Sequence, residues 1–364
     1  MSSRAQSRGF VMKTKFNINN LVRENIKSLQ PYSSARDEYK DANTTEMIFL
    51  DANENPFENG VNRYPDPQQN NVKDLLSEIK GVAKENILLG NGSDEVLDLI
   101  YRAFCEPNVD NVITLPPTYG MYSVLANINA IENRAVLLGD DFQPKVNKIL
   151  NVADAHSKIL FLCSPNNPTG NSFTVETVRE LLLKFKGLVV IDEAYIDFSE
   201  QKSWLERLAE FPNLIITQTL SKAFGLAGIR LGVCYASKEI IKILNNIKPP
   251  YNVNELSQQR AIARLQKMDE VQNEISQLIS ERKRLKKELE SCDSYIEKVY
   301  PSDGNFLLLK VDDATKRYNQ LIEYGVVIRN RTNQPLCKNT LRISVGICEE
   351  NQRLLRALKA IKEQ

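Results

Sequence analysis

The chain has 364 residues, 42% of them hydrophobic and 26% charged, with 47 basic side chains against 46 acidic ones, six cysteines and a single histidine, His156. One histidine excludes zinc proteases of the H-E-x-x-H type and two-histidine iron sites, and the context Ala-Asp-Ala-His156-Ser-Lys matches no ligand or triad motif. A net charge of +1 argues against a broad nucleic-acid-binding surface, and no run reaches the roughly 18 apolar residues of a membrane span.

In chain order, residues 1–18 read as a disordered leader, since the opening stretch is polar, aperiodic and without a signal-peptide apolar core. Residues 19–60 read as an N-terminal arm and part of a small domain. Within them Leu21, Val22, Ile26 and Leu29 recur at helical spacing until Pro31, and residues 47–50 are strand-like before the turn-rich Asp51-Ala-Asn-Glu-Asn-Pro56. Short apolar strands then alternate with amphipathic helices. Strands are predicted at 87–89, 111–115, 135–138, 159–162, 188–191, 214–217 and 232–236, and helices at 72–79, 94–104, 119–127, 174–184 and 204–209. Such alternation implies an α/β fold in which a largely parallel sheet is covered on both faces, with chemistry at the carboxyl ends of its strands.

That large domain spans residues 61–253. A long charged pattern over 254–291 reads as a bridging helix or helix pair. Strands near 295–299, 305–310, 326–328 and 341–344 and a terminal helix from Glu349 complete a small α+β domain, so that 254–364 form one unit. Cys105, Cys163, Cys234, Cys292, Cys337 and Cys348 include no C-x-x-C pair, which points to scattered core thiols in a reducing compartment and not to a zinc ribbon or disulfide framework. A cytoplasmic location is expected. His156 is expected to be an ordinary surface or edge residue beside a strand start.

Three segments carry chemistry. Cys163-Ser-Pro-Asn-Asn167-Pro-Thr-Gly170 follows one predicted strand, Asp192-Glu193-Ala194-Tyr195 ends the next, and Ser221-Lys222-Ala-Phe-Gly-Leu-Ala-Gly-Ile-Arg230 follows the one after. Asn167 and Asp192 are 25 residues apart, and Asp192 and Lys222 are 30 apart, each enough for one strand–helix–strand unit. All three side chains can therefore open onto one crevice. Leu88-Leu-Gly90-Asn-Gly92-Ser93-Asp94-Glu95 is a glycine turn that opens a helix, and its free amides and positive helix end make an anion site. It lacks the lysine of a nucleotide-binding P-loop.

In this order and spacing, S-P-N-N-P-T-G, D-E-A-Y and S-K-x-x-G-[LM]-x-G-x-R resemble the signature of fold-type I pyridoxal-phosphate aminotransferases, and the resemblance runs from about Asn19 to the C-terminus. It implies a large domain with a mostly parallel seven-stranded sheet between helices, a smaller α+β domain, and pyridoxal 5'-phosphate as cofactor, with no metal. Lys222 then forms the Schiff base with the cofactor and, once released, moves the proton between substrate and cofactor. Asp192 pairs with the pyridinium nitrogen, and Asn167 and Tyr195 with the phenolate oxygen. Gly92, Ser93 and Asp94 of the glycine turn hold the phosphate with Ser221 and Arg230, Tyr119 stacks on the ring, and Tyr64 reaches the phosphate of a neighbouring subunit. The last point implies a homodimer with shared active sites. The chemistry is consistent: a carboxylate keeps the ring nitrogen protonated so that the ring accepts electrons, and a desolvated lysine near other cations is partly neutral.

Within that fold, Gln30-Pro-Tyr32-Ser-Ser-Ala-Arg36, Leu50-Asp-Ala-Asn53-Glu-Asn55-Pro56, Arg63-Tyr-Pro65, Pro116-Pro-Thr-Tyr-Gly-Met-Tyr122, Gly325-Val-Val-Ile-Arg329 and Leu341-Arg342-Ile-Ser-Val-Gly346 resemble histidinol-phosphate aminotransferases. Members of that family exchange an amino group between glutamate and imidazole acetol phosphate, giving histidinol phosphate in histidine biosynthesis. The resemblance makes Arg329 and Arg342, 13 residues apart, the binders of the substrate anions, with Tyr32 and Asn305 lining the pocket. Threonine-phosphate decarboxylases and aromatic amino-acid aminotransferases are alternatives on the same scaffold, and a cofactor-sensing regulator without catalysis is the alternative of a different class.

Overall fold

The computed structural model describes residues 16–30, 48–291 and 294–362. Seven strands form one sheet: β1 (Ile87–Asn91), β2 (Asn111–Thr114), β3 (Glu132–Ala135), β4 (Ser157–Cys163), β5 (Leu188–Asp192), β6 (Leu214–Thr219) and β7 (Leu231–Ala236), in the order β1-β7-β6-β5-β4-β2-β3. Strands β3, β2, β4, β5 and β6 run parallel, and β7 is antiparallel to both β6 and β1. Apart from the edge strand β3, the strands are largely apolar without alternation because both faces are covered. Leu160 and Leu162 of β4 enter one core and Ile159 and Phe161 the other, as a side-chain period of two requires.

Helices α1 (Glu24–Lys27), α2 (Asn70–Lys80), α3 (Ser93–Phe104), α4 (Met121–Ile128), α5 (Val146–Val152), α6 (Val175–Lys184), α7 (Lys238–Ile247) and α8 (Glu255–Leu265) precede the long α9 (Met268–Glu290). Caps set several of their starts. The Thr174 hydroxyl accepts from the Thr177 amide at α6, and Asn254 Oδ1 from the Ser257 amide at α8. A second sheet, ordered β10-β11-β9-β8 and antiparallel throughout, consists of β8 (Ile296–Val299), β9 (Phe306–Val311), β10 (Arg329–Asn330) and β11 (Thr340–Ser344). It is covered by α10 (Ala314–Glu323) and α11 (Cys348–Lys362). Helix α9 joins the two bodies: Val271 and Ile275 pack in the large core, Leu285 and Leu289 in the small one.

Several elements differ from expectation. The strand expected at 135–138 is β3, three residues earlier; it is an edge strand without a buried residue, so its sequence shows no apolar run. Val136 and Leu138 pack into the core just beyond it. The segment at 204–209 is 3-10 rather than α-helical, and the pattern over 254–291 breaks at Gln266 and Lys267 into α8 and α9. The strand expected at 326–328 forms instead as β10, with Val327 78% exposed. Among the described residues near the N-terminus, α1 and a 3-10 turn form, residues 48–50 adopt no regular element, and residue 47 lies outside the described residues. Helices α5, α7 and α10 are additional, although Ile240, Ile241 and Leu244 already give α7 a helical period. His156 stands beside the start of β4 with its side chain largely exposed and 3.4 Å from Asp110. Cys105, Cys163, Cys234 and Cys337 are buried free thiols, and Cys292 lies outside the described residues. Among the described residues no helix is long and apolar enough to cross a membrane.

Candidate active site

Parallel pairing aligns the carboxyl ends of the three central strands, since Cys163 of β4 is in register with Asp192 of β5 and Asp192 with Thr217 of β6. The turns that follow β4 and β6 carry Asn167 and Lys222 to the same edge. There they open a cleft lined by Ser93, Asp94, Tyr119, Cys163, Asn167, Asp192, Ala194, Tyr195, Thr219, Ser221, Lys222 and Arg230.

One end of the cleft is built for an anion. Gly92, with φ +84°, turns the chain into α3, and among the described residues no side chain caps that helix, so its first amides face the cleft's anion end without a side-chain acceptor from them. The turn lies against β7 so closely that a Cβ at Gly232 would stand 2.2 Å from the Ser93 nitrogen. Arg230 closes the other side: a Cβ on Gly92 would meet its Nη2 at 2.9 Å. The backbone of Arg230 is itself left-handed, with φ +54°, and its guanidinium is 3.8 Å from Asp94. A helix N-terminus, a guanidinium and the hydroxyl-bearing Ser93 and Ser221 form a donor set suited to a phosphate monoester.

The floor holds a buried carboxylate. Asp192, 3% exposed, accepts from Tyr122 Oη at 2.8 Å and from the Ala194 amide at 3.2 Å. Burial pushes its carboxyl up to about 6 against those two hydrogen bonds. No lysine or arginine of the described residues forms an ion pair with it, so it suits a cationic nitrogen brought by a ligand. Lys222 Nζ lies 5.8 Å from the centroid of the Tyr195 ring. Its ammonium is lowered below the ordinary lysine range, first by burial and then by the Arg342 and Arg230 charges, with Asp192 and Asp94 opposing. Tyr195 is held above its usual range by burial and meets Phe306 edge-on at 5.0 Å. Tyr119 forms a wall, its hydroxyl donating to Asp94 Oδ1 at 3.0 Å and its ring meeting Tyr122 edge-on.

Above the cleft Arg342 reaches across from β11. Its Nη1 donates to Asn167 Oδ1 at 2.6 Å, and its guanidinium carbon lies 5.3 Å from the Phe306 ring centroid. Its Nε is buried without a partner.

Of the residues expected here, Ser93, Asp94, Tyr119, Asn167, Asp192, Tyr195, Ser221, Lys222 and Arg230 line the cleft, with Gly92 behind Arg230 and Arg342 bonded to Asn167. Asn305 and Arg329 do not line it. Asn305 precedes β9, where its carbonyl accepts from Val345, and Arg329 is exposed opposite Arg342. Tyr64 is half exposed and stacks on Tyr251 at 4.6 Å, in a separate hollow with Arg63 and Asn254. Tyr32 lies outside the described residues. Tyr122, Cys163, Ala194 and Thr219 were absent from the expected set. Tyr122 reaches Asp192 from α4, which starts after Tyr119, so its place at the site follows from the fold and not from its spacing to Tyr119.

The family model for aminotransferase class I and II matches residues 35–359. The chain is 66% identical to the histidinol-phosphate aminotransferase of Flavobacterium johnsoniae over 346 residues, covering 95% of this chain and 99% of that relative. Among solved structures, the histidinol-phosphate aminotransferase of Clostridium acetobutylicum matches with a TM-score of 0.77 at 24% identity, over 83% of this chain and 91% of that one. The enzyme of the same name from Sinorhizobium meliloti, solved in complex with pyridoxal-5'-phosphate, matches with a TM-score of 0.75 at 24% identity, over 83% of each chain. The two structures establish a shared fold, and the sequence matches establish kinship: the chain belongs to the class I and II aminotransferases, in the histidinol-phosphate aminotransferase family.

Proposed function

We propose that the chain is a pyridoxal-phosphate-dependent transaminase that converts L-glutamate and imidazole acetol phosphate into 2-oxoglutarate and L-histidinol phosphate. The observation that carries this reading is the convergence on one cleft of a lysine whose ammonium is lowered below the ordinary range by burial and neighbouring guanidinium charges, a buried carboxylate and a helix start faced by Arg230. These residues fit the cofactor's three polar features. The helix start, Ser93, Ser221 and Arg230 would hold its phosphate, Asp192 its ring nitrogen, Asn167 and Tyr195 its phenolate oxygen, and Lys222 its aldehyde carbon. When bound, pyridoxal 5'-phosphate supplies an electron sink for the pair left at the substrate Cα.

The remaining work belongs to the protein. The Lys222 amine would take the proton from the substrate Cα and pass it to the carbon that was the cofactor's aldehyde, and the burial and guanidinium charges that lower its basicity favour the neutral amine this needs. Tyr119 fixes the ring plane from one side. Arg342 orients the substrate carboxylate, and its bond to Asn167 ties substrate binding to the cofactor end. Arg329, Asn305 and Tyr32 belong to the substrate side in this reading. Tyr64, which lines a hollow separate from its own chain's cleft, completes the cleft of a second subunit in this reading of a homodimer. The reading also includes a large domain over 61–253, a small unit from 19–60 with 254–364, and a cytoplasmic location.

The test is an assay of the purified protein with glutamate and imidazole acetol phosphate, beside phosphothreonine and phenylpyruvate. Turnover with the imidazole substrate is expected to dominate, and preferential decarboxylation of phosphothreonine would overturn the assignment. Visible-edge absorbance that disappears in Lys222→Ala separates an enzyme holding its cofactor from a cofactor-free binding protein.

A further inference from the structure

Antiparallel pairing decides which side chains of the small sheet share a face. Arg329 pairs with Arg342 and Asn330 with Leu341, and the Arg331 amide extends the ladder by donating to the Thr340 carbonyl at 2.9 Å. Alternate residues of a strand point to opposite faces, so Arg331 stands on the same face as Arg329 and Arg342. Leu308, opposite Arg342 on β9, identifies that face: it packs in the core of the large sheet, whereas Leu307, Leu309 and Leu341 pack in the small core. Three guanidinium groups are thus presented on the side that carries Arg342 to Asn167.

No carboxylate of the described residues neutralises these guanidinium groups. Among the described residues none of the three forms an ion pair, and the Nε atoms of Arg331 and Arg342 are buried without a hydrogen-bond partner. Thr332 Oγ1 and Gln334 Oε1, in the same segment, are buried and unpartnered as well. Clustered like charges and orphaned donors each destabilise the protein unless a ligand satisfies them. Burial, and then the Arg342 and Arg329 charges, lower Arg331 to about 10, which still leaves it a cation at neutral pH.

We infer that Arg331 is a specificity-determining residue, a third cation at the substrate anion site that selects a phosphate monoester over the same amino alcohol without phosphate. The inference rests on the reaction proposed above. The two substrates differ in charge at the group the arginines meet. A carboxylate carries one negative charge and two acceptor oxygens, while a phosphate monoester carries about 1.5–2 charges and three terminal oxygens. Arg342, held by Asn167, suffices for the first, and the second leaves charge and an oxygen for Arg331.

The test compares Arg331→Gln with the unaltered holoenzyme, using histidinol phosphate and histidinol as amino donors to 2-oxoglutarate. Loss of one charge-assisted contact is expected to lower kcat/KM for histidinol phosphate about 10- to 100-fold more than for histidinol, mainly through KM. Inorganic phosphate is expected to inhibit the variant more weakly than the parent. Arg331→Lys, a point charge in place of a planar fork, is expected to lose part of the same preference, and it carries the test if the glutamine variant fails to fold. An unchanged ratio between the two donors in either folded variant overturns the inference. An unaltered enzyme inactive on histidinol phosphate would overturn the proposed reaction itself, a separate result.

Discussion

Arg342 Nη1 donates to Asn167 Oδ1 across 2.6 Å, joining a strand of the small sheet to the turn at the end of β4 in the large one. The contact joins the arginine proposed to meet the substrate carboxylate to the asparagine proposed to meet the cofactor. Lys222 senses it too, since Arg342 is the largest charge lowering that amine.

Replacing Arg342 with alanine removes the charge-assisted contact to a substrate carboxylate while leaving Lys222, Asp192 and Arg230 in place. Loss of about 10²- to 10³-fold in kcat/KM with glutamate is expected, with cofactor absorbance retained. Steady-state rates and a visible spectrum of the same sample decide it; a normal rate with glutamate contradicts the role.

Removing the same cation has a second, electrostatic effect. In the cofactor-free protein the Lys222 amine is less basic than an ordinary lysine because of burial and of Arg342 and Arg230. Without a positive neighbour the charged form is easier to hold, so Arg342→Gln moves the midpoint upward. The pH dependence of labelling at Lys222 by an amine-directed reagent, followed by peptide mass spectrometry, reads that midpoint; a downward move counts against it.

Asp192 poses a conflict between stability and function. Its folded-state carboxyl, at about 6, lies above the ordinary 3.8, so the cofactor-free folded protein keeps a proton that the unfolded chain has lost. Stability from this group is therefore greatest below the ordinary value and is lost as pH rises through about 6. Asp192→Asn removes the cost of the buried charge, and a gain of about 1–3 kcal/mol at pH 7 is expected for the cofactor-free protein, together with at least ~10²-fold loss of activity. Urea unfolding at pH 5 and pH 7 measures the first effect, which shrinks at the lower pH. A variant less stable at pH 7 would contradict the charge account.

Gly232→Ala tests the packing beneath the phosphate end. The added methyl would collide with the backbone of Gly92 and Ser93, at 2.4 and 2.2 Å, and backbone cannot swing aside as a long side chain can. A cost of about 2–4 kcal/mol and at least ~10-fold weaker cofactor retention are expected, by thermal unfolding and by dialysis. Gly120, with nothing within 4 Å, is the matched control.

Much of this site was legible because β4, β5 and β6 are apolar runs that terminate in polar residues. Asp192 ends its strand, and Asn167 and Lys222 follow theirs, so order along the chain predicts a shared edge. Legibility failed where the signal was tertiary. Strand β3 is an edge without buried side chains, and its neighbours Val136 and Leu138 supplied the apolar signal instead. Tyr122 holds Asp192 from a helix, a pairing that no sequence separation announces. Arg331 acquires its meaning only from the β10–β11 register, because a two-residue strand is too short to show a period. Tyr32, expected on the substrate side, lies outside the described residues.

Helix α9 gives the two halves of the cleft a common mechanical member. Its 23 residues make a rod of about 34 Å, anchored by Val271 and Ile275 at one end and by Leu285 and Leu289 at the other. Midway along it, Arg282 is clamped by the carbonyls of Phe198, on the large-sheet side, and Gly304, just before β9. A tilt of only a few degrees swings the far end of such a rod by about 1–2 Å, comparable to the tolerance of a reacting geometry. Arg282 thus fastens a segment beside each sheet to one helix, from a position bonded to neither Arg342 nor Lys222.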